Sequence, residues 1–272
     1  LRETHMSFSI AGKTAIVTGA ANGVGLAIGR HFVEQGANVV FADMDEKKLC
    51  HEIGEEAEKE ENIRIFAGDL RKKLTVTNLL SSTVDAFERV DILVNASRQV
   101  MTTDPLNPDD NSVDELLNQN LLTALRLSQA TARRMIKQAD GDDDSPIGAI
   151  VNISSIAARR THADLLAYSV SCAALDQMTR SMAVAMAPHR IRVNAVAFGS
   201  VMSASLKGSL KDHDETREAI VENTPLHRIA SPGEVSDAVQ YLASDAAGFV
   251  TGQIITVDGG RTLIDPADVS AH

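Results

Sequence analysis

The stretch Thr18 to Gly25, T-G-A-A-N-G-V-G, constrains this chain most, because it must convert an apolar strand into a helix through a bend with little room for side chains. Ala15, Ile16 and Val17 read as the buried end of that strand. Gly19 can take a left-handed turn, and Gly23 and Gly25 let backbone approach a pyrophosphate and the helix pack on the sheet. The helix then opens with unpaired N–H groups, which together with its dipole attract an anion without any charged side chain. Alone, such a turn also suits a plain strand-to-helix connection. Its context adds a second apolar strand, Val39 to Ala42, ending at Asp43, where a dinucleotide site expects an acid about 20 positions on.

The rest of the chain repeats the βα alternation. Ile10 to Thr18 is the first predicted strand; Leu26, Ile28, Phe32 and Val33 form the apolar face of a helix that Gly36 ends. Leu49, Ile53 and Ala57 recur every fourth residue, so the glutamates from Glu52 to Glu61 are a solvated helix face. Ile63 to Ala67 is a third strand closed by Gly68-Asp69-Leu70, where Asp69 is either part of an adenine site or a helix cap. Leu79, Val84 and Phe87 suit a third helix, and Asp91 to Val94 a strand covered on both faces.

Apolar spacing from Val113 to Met135 predicts one long amphipathic helix, with Asn120 on its buried face as either a satisfied core amide or a site residue. Asp140 to Asp144 reads as an exposed loop, and Ala149 to Ile153 as a strand ending in Ser154-Ser155. A helix carrying Tyr168 and Cys172 runs to Ala187, stopped by Pro188; Ile191 to Ala197 is a sixth strand. Phe198 to Leu226 is polar and partly helical, as a lid over a substrate would be. Ser231-Pro232-Gly233-Glu234 is a capping box opening a helix to Leu242, and Ile254 to Val257 is the last strand.

The formal net charge of -11 opposes nucleic acid and anionic membrane as partners, and no run of 18 apolar residues is present. A small-molecule partner and a cytoplasmic location are expected. Cys50 and Cys172 lie far apart without metal-ligand spacing, so neither a disulfide framework nor a metal is expected. Leu1 to His5 read as an expression remnant, residues 6–265 as a single dinucleotide-binding and catalytic domain, and residues 266–272 as a tail.

Taken together, the motifs resemble the short-chain dehydrogenase/reductase family from Phe8 to about Leu263. They are T-G-A-A-N-G-V-G, D-I-L-V-N at Asp91 to Asn95, N-I-S-S at Asn152 to Ser155, Tyr168, R-V-N-A-V at Arg192 to Val196, and T-G-Q-I-I-T-V-D-G-G at Thr251 to Gly260. The resemblance implies an α/β fold, a doubly wound Rossmann-type parallel sheet of about seven strands, and a homotetramer assembled through the helices carrying Asn120 and Tyr168. It also implies hydride transfer between a nicotinamide cofactor and a secondary alcohol or ketone.

On that resemblance the catalytic candidates are Tyr168, Ser155 (13 residues earlier, which selects it over Ser154) and Asn120, matched to an asparagine that holds a proton-relay water. The cofactor-binding candidates are Gly19, Asn22, Gly23, Val24, Gly25, Asp43, Asp69, Leu70, Asn95, Ala96, Tyr168, Gly199 and Val201. Asp43 is matched to an acid that binds both adenosine ribose hydroxyls and repels a 2′-phosphate, and Asn22 stands where NADP-users often carry a cation. The implied cofactor is therefore NAD.

Three departures concentrate at the nicotinamide end. The family's Y-x-x-x-K reads Tyr168 to Cys172, its N-N-A-G reads Asn95-Ala96-Ser97-Arg98, and its P-G reads Phe198-Gly199. A cysteine, titrating at about 8.5, is never the cation that lowers a tyrosine pKa from about 10. Reduced activity follows, with a catalytically silent NAD(H)-binding member as the other reading. Arg98 and Arg159 read as surface arginines, with either one a candidate for the missing charge; Cys172 reads as packing, and His162 and His213 as loop residues.

Overall fold

The computed structural model describes residues 7–139, 145–211 and 214–265, with backbone alone at positions 204, 205 and 209. Seven strands form one sheet: β1 (Thr14–Thr18), β2 (Asn38–Asp43), β3 (Ile63–Ala67), β4 (Ile92–Asn95), β5 (Gly148–Ser155), β6 (Ile191–Phe198) and β7 (Ile254–Val257). Their order is β3-β2-β1-β4-β5-β6-β7 and every pairing is parallel. The central strands β1, β4 and β6 are buried throughout, as in a parallel sheet covered on both faces, whereas the edge strand β7 is half-buried.

Alternation along each strand feeds two cores. Val17, Val39 and Phe41 face one layer with Ile28 and Phe32 of α1 (Gly23–Glu34), Leu49 and Ile53 of α2 (Glu46–Lys59), and a later helix carrying Val235 and Leu242. Ile16, Val40 and Leu93 face the other, with Leu79 of α3 (Lys73–Phe87). Helices therefore cover both faces, and the chain reverses its lateral direction between β1 and β4. The carboxyl ends of these two strands frame a crevice, the place where open α/β sheets bind ligands.

Two predicted elements differ by more than two residues. The first strand begins at Thr14 because Gly12, at φ 74°, bends the chain after the buried Ile10. The long helix predicted from Val113 to Met135 is interrupted: α4 (Ser112–Leu116) passes into a π-helical turn at Leu117–Leu122 before α5 (Thr123–Gln138). There the Thr123 amide reaches back five residues to the Asn118 carbonyl. The bulge carries Asn120, whose side chain is tied elsewhere, as described below.

Downstream lie α6 (Leu166–Met186), α7 (Ala204–Ser209), α8 (Asp214–Glu222) and α9 (Pro232–Ala243), the last with its capping box between Ser231 and Glu234 in place. The R-V-N-A-V motif has a structural use. Buried Arg192 donates to the Leu242 and Ser244 carbonyls at the end of α9, and Asn194 pairs with the Val250 carbonyl and the Gln253 amide. The acidic run at 140–144, His213, the first six residues and the tail at 266–272 lie outside the described residues. Among those described, no helix is long and apolar enough to cross a membrane.

Candidate active site

The turn after β1 is closed on itself. A Cβ on Gly25 would stand 2.2 Å from the Gly19 carbonyl oxygen, and one on Gly19 2.7 Å from the Ala96 carbonyl oxygen, so neither position accepts a side chain without a backbone shift. Gly19 and Gly23 both have positive φ, 64° and 55°. The close packing of helix on sheet falls instead to Gly29, where a Cβ would meet the Phe41 ring at 2.2 Å. Thr18 Oγ1 accepts the Ala96 and Ser97 amides at 3.0 and 3.1 Å, joining the ends of β1 and β4. At the start of α1 the Asn22 side chain makes no cap and the first turn holds no acid, leaving the helix N-terminus free for an anion.

From this turn a groove of about 870 Å³ runs across the carboxyl ends of the strands. Asp43, at the end of β2, stands at one end; Ser155, at the end of β5, and Tyr168, on α6, stand at the other. Its walls include Gly19, Asn22, Gly23, Val24, Gly25, Asp43, Ala96, Ser155, Tyr168, Gly199 and Val201. Asp69, Leu70, Asn95 and Asn120 are not on these walls, and each has another engagement.

Asp69 pairs with Arg71 through two side-chain contacts, 2.8 and 3.1 Å, which hold its carboxyl below the usual range; Arg71 lines the groove in its place. Leu70 belongs to the core between sheet and helices. Asn95 is buried and donates to Ser128 Oγ and Asn152 Oδ1, a cross-link of β4 to β5 and α5. Asn120 accepts the Gln99 amide at 2.8 Å and donates to the Gln99 carbonyl and Ser171 Oγ. It is a satisfied buried amide that ties the loop after β4 to α6, and it borders a small cavity behind Tyr168. Sequence spacing placed it on a buried face and carried no signal of these distant partners.

Tyr168 is buried, with 5% of its surface exposed. Its Oη accepts a hydrogen bond from Arg98 Nη1 at 2.8 Å. The Arg98 guanidinium lies 4.2 Å above the Phe198 ring centre and has a long contact, 3.5 Å, to the Ser154 carbonyl. Burial pushes the Tyr168 hydroxyl above its ordinary value, while Arg98 and the Ser155 hydroxyl pull it down. Cys172, one turn further along α6, is pushed up by burial and stays a neutral thiol. Arg159 is turned away, donating to Thr256 Oγ1. Exposed His162 caps a short 3₁₀ turn through the Asp164 amide. No cluster of metal-ligating side chains exists among the described residues.

Comparison with known proteins decides the family. The family model described as enoyl-(acyl carrier protein) reductase matches residues 19–262. The chain is also 32% identical over 272 residues to the short chain dehydrogenase/reductase astE of Aspergillus oryzae, covering 96% of this chain and 98% of that protein. The chain belongs to the short-chain dehydrogenase/reductase family. Two solved structures share the fold of this short-chain dehydrogenase/reductase. One is a 7α-hydroxysteroid dehydrogenase complexed with NADH and 7-oxo glycochenodeoxycholic acid, at TM-score 0.84 and 29% identity over 93% of this chain and 95% of that one. The other is a gluconate 5-dehydrogenase from Burkholderia cenocepacia in complex with NADP and tartrate, at 0.83 and 27% over 95% and 98%.

Proposed function

We propose that this short-chain dehydrogenase/reductase is an NAD(H)-dependent oxidoreductase that interconverts a secondary alcohol and a ketone, at a reduced rate, in the cytoplasm and as a homotetramer. The observation that carries this reading is the continuous groove with an anion-binding helix terminus and Asp43 at one end and Tyr168 with Ser155 at the other. The residues fit the cofactor: a tight turn that admits only glycine at positions 19 and 25, free helix N–H groups for the pyrophosphate, and a carboxylate where a 2′-phosphate would be repelled. Because related structures hold NADH in one case and NADP in the other, cofactor choice rests on Asp43 of this chain.

A bound nicotinamide supplies or accepts the hydride. The protein's part is the proton and the geometry. In reduction, Tyr168 Oη gives its proton to the carbonyl oxygen while the Ser155 hydroxyl polarises the same atom; in oxidation Tyr168 takes the alcohol proton back. Asn120 positions the loop after β4 against α6. Residue 172 adds no positive charge, and each pH unit by which tyrosine is left too weak an acid costs about 1.4 kcal/mol of driving force for that proton.

The test is to titrate NADH and NADPH onto the chain, measure its native mass, and assay a panel of ketones and alcohols with wild type, Tyr168→Phe and Cys172→Lys. Tighter NADH, slow wild-type turnover, a loss of about 100-fold or more in Tyr168→Phe and a gain in Cys172→Lys are expected. Tighter NADPH overturns the cofactor assignment. NADH binding with turnover only in Cys172→Lys makes the chain a silent NAD(H)-binding family member.

A further inference from the structure

The three departures at residues 98, 172 and 198 are far apart in the chain and come together beside Tyr168. Arg98 leaves the loop after β4, crosses the Phe198 ring at the end of β6 and ends with Nη1 2.8 Å from Tyr168 Oη. Cys172 borders the same small cavity and feels the Arg98 charge. A guanidinium keeps its charge at any pH a protein survives, and stacking on an aromatic face holds its plane. We propose that Arg98 is the cation of this active site, placed on Tyr168 Oη from the loop after β4, whereas residue 172 on α6 brings no charge. The proposal concerns the proton step and rests, for its use in catalysis, on the hydride-transfer reading above.

In reduction the Tyr168 O–H bond breaks as the substrate O–H bond forms, leaving a phenolate whose negative charge meets the Arg98 guanidinium. Oxidation runs the same exchange backwards, with the alcohol proton moving to the phenolate. Among the described residues, Arg98 from the β4 loop and Ser155 from β5 favour the phenolate, and Cys172 on α6 disfavours it; Asp176, one turn further, acts on Cys172. Arg159, the other arginine near the site in sequence, spends its guanidinium on Thr256 and exerts its charge on Asp176.

The chain holds Tyr 2 and Trp 0, so Tyr241→Phe leaves Tyr168 as the single phenol. The experiment titrates the ultraviolet phenolate band and circular dichroism of this full-length background, alone and with Arg98→Met or Arg98→Lys. A ring-fluorinated tyrosine, a stronger acid, brings the transition into the range where the chain stays folded. Arg98→Met is expected to move half-ionisation upward by about one pH unit or more, a tenfold loss of phenolate at fixed pH, and Arg98→Lys to restore most of it. In oxidation assays the acid limb of the kcat profile should move the same way in Arg98→Met.

An unmoved titration overturns the proposal, as does faster turnover in Arg98→Met, which would make Arg98 an obstruction. A titration that follows Arg98 in a chain without any turnover upholds the cation and refutes the hydride-transfer reading instead.

Discussion

Asp43 Oδ2 accepts the Ala21 amide at 3.0 Å, while its Oδ1 accepts the Asp45 amide at the same distance. The acid at the end of β2 is thus fastened to the glycine turn that follows β1, on the wall of the groove. The two halves of the expected dinucleotide site form one unit.

Asp43→Asn keeps an oxygen for one of these amides and removes the charge. NADPH should then bind more tightly and NADH less tightly, changing their ratio about tenfold or more, where tenfold corresponds to about 1.4 kcal/mol. Fluorescence titration of both cofactors measures it. An unchanged ratio would remove Asp43 from cofactor discrimination.

Gly25→Ala forces the turn open, since its Cβ would lie 2.2 Å from the Gly19 oxygen and 2.8 Å from the Gly19 carbonyl carbon, both backbone. A cost of about 1–3 kcal/mol is expected, lowering Tm by about 2–4 °C for each, together with loss of NADH binding. Gly208→Ala on α7 is the control, because its Cβ would meet nothing within 4 Å. Thermal unfolding and NADH titration of both variants make the comparison; equal behaviour would show that the turn is not closed in solution.

Asp176 on α6 is 4% exposed, and its Oδ1 has no hydrogen-bond partner. Burial pushes its carboxyl up, against the Ser154 hydroxyl and the charges of Arg159 and Arg180. The folded state therefore keeps this proton to higher pH than the unfolded chain. Its contribution to stability is complete below the unfolded value, about 3.9, and is lost as pH rises through the folded one. Asp176→Asn should raise Tm at pH 7 by about 2 °C or more, the gain shrinking toward pH 4. Melting curves across that range test it, and a gain independent of pH would exclude ionisation as its source.

The sequence reading and the structure agree most closely where the determining forces are local. Strands β3 and β7 have the bounds that their apolar runs predict, and the capping box at Ser231 and Glu234 sits where its spacing requires. They part where a side chain is claimed from a distance. Asn120 pairs with Gln99 and Ser171 from within a π-helical turn, in a segment whose hydrophobic period reads as an unbroken helix. Asp69 stands at the end of a strand, as adenine-site acids do, yet its neighbour Arg71 takes its charge.

By itself the sequence determined the parallel α/β alternation, the glycine turn after β1 and the acid at position 43, because apolar period, glycine φ freedom and strand-end spacing act over a few residues. It also showed that position 172 carries no lysine. Only the tertiary structure decided between Arg98 and Arg159, since Arg98 meets Tyr168 across 70 positions of chain, through a path set by β4, β6 and α6 packing together. Charge at an active site depends on distance in space, which residue spacing does not encode.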